Sequence, residues 1–108
     1  MAYTTPQNVI LTGHTIDSVL ADTKAIVMRG FTGGICIVPS GSSITSLTYY
    51  VASSEDGTYI QLYNSSGAVS TTVAASRAYP LPAELAGAAY LKIVGNNDGT
   101  VDLHLISN

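Results

Sequence analysis

Tryptophan is absent from this 108-residue chain, cysteine and phenylalanine occur once each, and charge is scarce. Only 10% of the residues are Asp, Glu, Lys or Arg, against about 25% in an ordinary globular domain. The four basic residues, Lys24, Arg29, Arg77 and Lys92, form no run. Nucleic-acid binding rests on clustered cations that neutralise phosphates, so that class of partner is not expected. No apolar run approaches the ~20 residues of a bilayer-spanning helix, so no membrane partner is expected either. Met1 to Pro6 contain neither the basic nor the apolar region of a secretory signal, which makes the sequon Asn64-Ser65-Ser66 read as accidental. A lone Cys36 between Ile35 and Ile37 excludes an intrachain disulfide and reads as a small buried hydrophobe.

Hydrophobic residues make up 46% of the chain and the formal net charge is −3, a composition that folds rather than staying disordered. The length fits one domain, residues 1–108. A surface so poor in charge is prone to association, and the expectation is that something covers part of it.

The dominant period is two. Leu47, Tyr49 and Val51 alternate with Thr48, Tyr50 and Ala52, while Val101, Leu103 and Leu105 alternate with Asp102, His104 and Ile106. Residues 58–63 read the same way, with Ile60 and Leu62 opposite Tyr59, Gln61 and Tyr63. Further strands are expected at 7–12, 15–20, 24–29, 34–38, 68–74 and 89–94, each short and bounded by Gly, Asn, Asp, Ser or Pro. About eight such strands predict an all-β, antiparallel, jelly-roll-like β-sandwich. One short helical turn is expected at Pro82–Gly87, with Leu81 and Leu85 plugging an end of the sandwich. Residues 1–7 lack patterning and read as an N-terminal arm.

Glu55 and Asp56 are adjacent carboxylates, but "SSEDGTY" lies between two alternating runs, where Asp-Gly favours a tight hairpin. They are read as turn residues, not as an acid/base pair, which would have to face each other across a cleft. "YLKIVGNNDGTVDLHLI" is read as a second hairpin, with Gly57 and Gly99 expected at or beside positive φ. "VGNNDGTVDLHL" matches a calcium loop only in part, since the first and last ligand positions fall on Val94 and Leu105. An irregular site built on Asp98 and Asp102 is the remaining metal alternative, and none is adopted. His14 and His104 have no local partner at metal-ligand spacing. The serines around Gly41 lack a nucleophile elbow, and the glycines from 30 to 34 lack a phosphate-loop lysine. No catalytic residue and no cofactor is therefore assigned. The tyrosines are the best recognition candidates beside core packing as their ordinary role.

"LTYYVASSEDGTYIQLYNSSGAVSTTVAASRAYPLPAELAGAAYLKIVG" resembles a recurring type of small protein from tailed-bacteriophage virions. The similarity covers residues 46 to 108. The resemblance implies a β-sandwich on the capsid or tail surface that performs no catalysis. The Ser-x-Asp-Gly turn and the "YLKI" strand also resemble the galactose-binding jelly roll of discoidin-like domains. There a tryptophan often follows the turn, and this chain has none. The resulting expectation is a capsid decoration protein, located in the virion after synthesis in the host cytoplasm. Its partners would be the major capsid protein or another virion protein, and its own copies, with a trimer favoured. A carbohydrate-binding module or adhesin is the alternative. Tyr3, Val9, Ile10, Leu11, Tyr59 and Tyr63 are the candidate interaction residues.

Overall fold

The computed structural model describes residues 8–106. Eleven strands run as β1 (Asn8–Ile16), β2 (Ile26–Val27), β3 (Gly33–Val38), β4 (Ser46–Ala52), β5 (Ile60–Gln61), β6 (Tyr63–Asn64), β7 (Gly67–Ala68), β8 (Ser70–Thr72), β9 (Arg77–Pro80), β10 (Tyr90–Gly95) and β11 (Gly99–Ile106). One sheet has the order β1-β11-β3-β9, and the other β2-β10-β4-β5, with β8 also paired to β4. The strand pairs are antiparallel throughout. β6 and β7 form a small separate ribbon. The chain is an all-β sandwich, as its period of two predicts.

Alternation decides which side chains enter the core. Val101, Leu103 and Leu105 of β11 are buried, as are Leu47 and Tyr49 of β4 and Leu91 and Ile93 of β10. Cys36 and Val38 join them from β3, and Ile16, Met28 and Ile44 are buried in the same core. Tyr49 is fully enclosed, and its hydroxyl shares a 2.7 Å hydrogen bond with Thr71 Oγ1. A buried phenol needs such a partner. Leu81 and Leu85 are buried beside and within the 3₁₀ turn Ala83–Gly87, which forms where the short helical turn is expected.

Several expectations are corrected. "YLKIVGNNDGTVDLHLI" is not a hairpin. β10 and β11 belong to different sheets, so Asn96-Asn97-Asp98 carries the chain across the sandwich. A crossing needs no reversal with φ > 0, and neither Gly57 nor Gly99, nor any residue beside them, has a positive φ. Space explains these glycines instead. A Cβ on Gly57 would lie 2.6 Å from Ser54 Oγ, and one on Gly99 would lie 2.9 Å from Ile44 Cδ1. The "SSEDGTY" segment does join paired strands, through a loop over residues 53–59 in which Glu55 and Asp56 are the central turn residues, closed by the Gly57 N–H donating to the Ser54 carbonyl at 3.1 Å. The strand expected at 15–20 splits into the end of β1 and a 3₁₀ turn at Leu20–Asp22. β9 was not expected at all; its Arg77-Ala78-Tyr79-Pro80 contains a proline and little alternation. The run 58–63 breaks at Leu62, whose N–H donates to the Tyr49 carbonyl and whose carbonyl accepts from Val69. Ile60 consequently sits at a sheet edge and is 67% exposed.

Candidate interaction surface

The outer face of β1-β11-β3-β9 carries a cross-strand row. Ile10 pairs with His104, His104 with Ile35, and Ile35 with Pro80. Ile106 stands beside this row on β11. Ile10 is 59% exposed, Ile35 45% and Ile106 42%. Ile10, Ile35, His104 and Ile106 surround a shallow depression of about 280 Å³. The next row, Asp102, Ile37 and Ala78, adds one carboxylate, and its Oδ1 already accepts the Gly13 N–H at 2.8 Å. Among the described residues the face is otherwise without Asp, Glu, Lys or Arg. Branched aliphatic side chains make good strands but belong indoors, so three exposed isoleucines in one patch are a surface suited to burial against another protein.

The outer face of the second sheet differs in chemistry. Tyr90, Lys92, Tyr50 and Gln61 lie on it in neighbouring register. Lys92 Nζ sits 4.6 Å from the Tyr59 ring centre, and the Arg29 guanidinium lies 5.7 Å from that of Tyr90. Cations therefore occupy one ring face of each tyrosine, which takes from the carbohydrate alternative two stacking surfaces. Beside this region Leu11, His14, Lys24, Glu55, Asp56 and Lys92 line a groove of about 510 Å³. His14 Nε2 is buried there with no hydrogen-bond partner among the described residues. Burial, with a smaller contribution from the Lys24 ammonium, holds the imidazole below its ordinary value.

The six candidate interaction residues separate. Tyr3 lies outside the described residues. Val9, Ile10 and Leu11 pair with Leu105, His104 and Leu103 of the same chain, so they form a genuine first strand at a sheet edge. Leu11 packs partly against the core, while Ile10 points outward. Tyr59 is half-buried beneath Lys92, its hydroxyl donating to the Glu55 carbonyl at 3.0 Å. Tyr63 is 62% exposed on the β6–β7 ribbon. Only Ile10 joins the apolar patch. Ile35, His104, Ile106 and Pro80 were missed, although Ile106 already stood out as an aliphatic residue on the otherwise polar side of "VDLHLI".

Three further reactive groups, Cys36, Asp98 and Asp102, have structural roles. Burial, reinforced by Asp102, pushes the Cys36 thiol up to about 11, which leaves it an inert core group at neutral pH. Asp98 Oδ1 accepts the Ser18 N–H at 2.9 Å, and Asp102 Oδ1 is spent on Gly13. Both acids thus fasten backbone, each to a different partner. Among the described residues no group of three or more His, Cys, Asp or Glu is placed to hold a metal ion.

No protein-family model and no curated protein matches the chain. The crystal structure of the SPBc2 prophage-derived protein YomS is similar to it over 99% of each chain, with a TM-score of 0.60 and 18% sequence identity. At that identity the likeness establishes a shared fold, end to end.

Proposed function

We propose that the chain is a non-enzymatic structural protein of a tailed-phage particle that decorates the capsid surface. It docks on the major capsid protein or another virion protein through the outer face of β1-β11-β3-β9. The observation that carries this reading is the Ile10–His104–Ile35–Pro80 row with Ile106 beside it, an exposed aliphatic patch almost free of charge. A docking surface gains by releasing water from such groups, at roughly 25 cal/mol per Å² of apolar area, and a charge-poor centre avoids the cost of stripping ions of their hydration. The end-to-end fold likeness to a prophage-derived protein supports a phage setting. Two acids and the thiol serve the framework in this reading: Asp98 and Asp102 hold backbone N–H groups, and Cys36 is buried.

Co-sedimentation tests the reading. Particles of the parent phage stripped of the protein should bind the purified chain saturably, and Ile35→Glu should weaken binding by tenfold or more while the protein stays folded. Equal binding by wild type and Ile35→Glu, or no binding to particles, overturns it.

A further inference from the structure

The edges of the two sheets are protected unequally. β2 and β5 span two residues each and β8, which also edges β4, three, all too short to template a partner. β9 carries Arg77 and ends in Pro80, which has no N–H to give. Ser76, just before it, turns the chain aside with φ of 61°. These are the devices by which sheet edges avoid unwanted pairing. β1 is different. It has nine residues, no Pro and no Lys, Arg, Asp or Glu, and among the described residues it pairs on one side only, with β11. Its second half is shielded: a bulge between Leu11 and His14 distorts the strand, Gly13 N–H is taken by Asp102, and the following Asp17 bridges to Val94 of β10. Asn8 to Leu11 keep a regular register, carry no charge and, among the described residues, have no partner on their outer edge.

We propose that this edge pairs with the same edge of a second copy, antiparallel about a twofold axis centred on Ile10. Ile10 then faces its counterpart, and Val9 faces Leu11 of the other copy. The four-stranded sheet becomes one continuous eight-stranded sheet. The outer rows join as Pro80–Ile35–His104–Ile10 followed by the same four residues in reverse. Val9, 37% exposed at the rim of the core, is covered by its new neighbour. A second copy is the occupant because an open strand edge needs another strand with the same unmet N–H and C=O groups, and a twofold matches β1 to itself. Head-to-tail growth would require β1 to meet β9, which Pro80 and Arg77 block, so pairing stops at two copies and forms neither a ring nor a fibre. The inference deepens the docking reading, since the joined rows present twice the apolar surface to a lattice.

The full chain, examined by light scattering at micromolar concentration, should weigh twice its 11.2 kDa. Ile10→Cys should oxidise to a disulfide-linked dimer, whereas Ile35→Cys, equally outward but two strands from the edge, should not. Ile10→Lys should return the protein to monomer, and Ile35→Glu should leave the dimer intact even while it weakens particle binding. A monomer at all concentrations, or cross-linking through position 35 as readily as through position 10, overturns the pairing. So does a dimer that disappears on deleting residues 1–7 while Ile10→Cys fails to cross-link.

Discussion

Two kinds of glycine and two kinds of buried acid or base set the chain's sensitivities at the residue scale. Gly34 lies so close to β11 that an added Cβ would collide with the His104 carbonyl oxygen. Backbone cannot yield there without opening the β3–β11 ladder. Gly34→Ala should therefore cost about 2–3 kcal/mol, the upper range for overpacking. Gly99 is crowded by the tip of Ile44, a side chain that can swing, so Gly99→Ala should cost no more than about 1 kcal/mol. Urea denaturation would rank them, and a reversed order would refute the spatial reading of both. Burial also fixes a pH window. His14 is held neutral in the folded protein, so it favours folding above its unfolded value of 6.5, and that contribution fades as pH falls below it. The Cys36 thiol rises from 9.0 to about 11 and the Tyr49 phenol from 10.0 to about 12, so the unfolded chain ionises first on the alkaline side. Their contributions are complete below pH 9 and are lost progressively toward pH 12. Thermal melting should show a plateau between about pH 7 and 9 with decline on both sides. His14→Asn should flatten the acid limb and Cys36→Ala the first part of the alkaline one. A wild-type melting temperature that does not change between pH 9 and 11 would contradict this account.

At the scale of elements, alternation was legible where a strand is half-covered by the core, as in β4, β10 and β11. There the sequence period and the burial pattern coincide. It was illegible where pairing comes from distant partners. β9 lies against β3 through Tyr79 opposite Cys36, a contact that no local pattern around Pro80 announces. Asn96 to Gly99 have the residues of a hairpin turn, and local turn chemistry cannot distinguish a reversal within one sheet from a step between two. The distinguishing interactions are long-range. Asn96 Oδ1 accepts the N–H groups of Thr45 and Ser46 at 2.9 and 3.1 Å, and its amide donates to Thr45 Oγ1 at 2.8 Å. One side chain thus ties the crossing to the start of β4. The apolar patch was half-legible for the same reason: Ile10 and Ile106 were visible singly, but their meeting with Ile35 depends on β11 lying between β1 and β3. Asn96→Ala should cost about 1 kcal/mol, because two backbone donors lose a partner at a site that water can still reach. Asn96→Asp, which keeps the acceptor, should recover most of that loss. If chemical denaturation finds the two variants equally destabilised, the acceptor role assigned to Oδ1 is wrong.

For the whole molecule, the decisive fact is that the first and last strands pair with each other. β11 is one of the two inner strands of its sheet, bonded to β1 on one side and β3 on the other, and it supplies Val101, Leu103 and Leu105 to the core. Until it arrives, β1 has nothing to pair with among the described residues and β3 is paired on one edge only, with β9. Closing so long a loop costs entropy before any contact repays it, and all-β domains of this kind fold in milliseconds to seconds, not microseconds. Truncation before Gly99 should leave a chain without a cooperative thermal transition, although most of its residues remain. The β6–β7 ribbon makes the opposite prediction. It forms its own two-stranded sheet, Tyr63 and Asn64 are exposed, and its removal leaves β4, β8 and β10 paired. Replacing residues 63–68 by a short glycine-containing turn should lower stability by about 1–2 kcal/mol, from lost partial burial near Leu62, while the β-rich circular dichroism spectrum and a single sharp melt survive. A ribbon deletion that unfolds the protein as thoroughly as loss of β11 would mean that the two sheets depend on each other through that loop, not through the core they share.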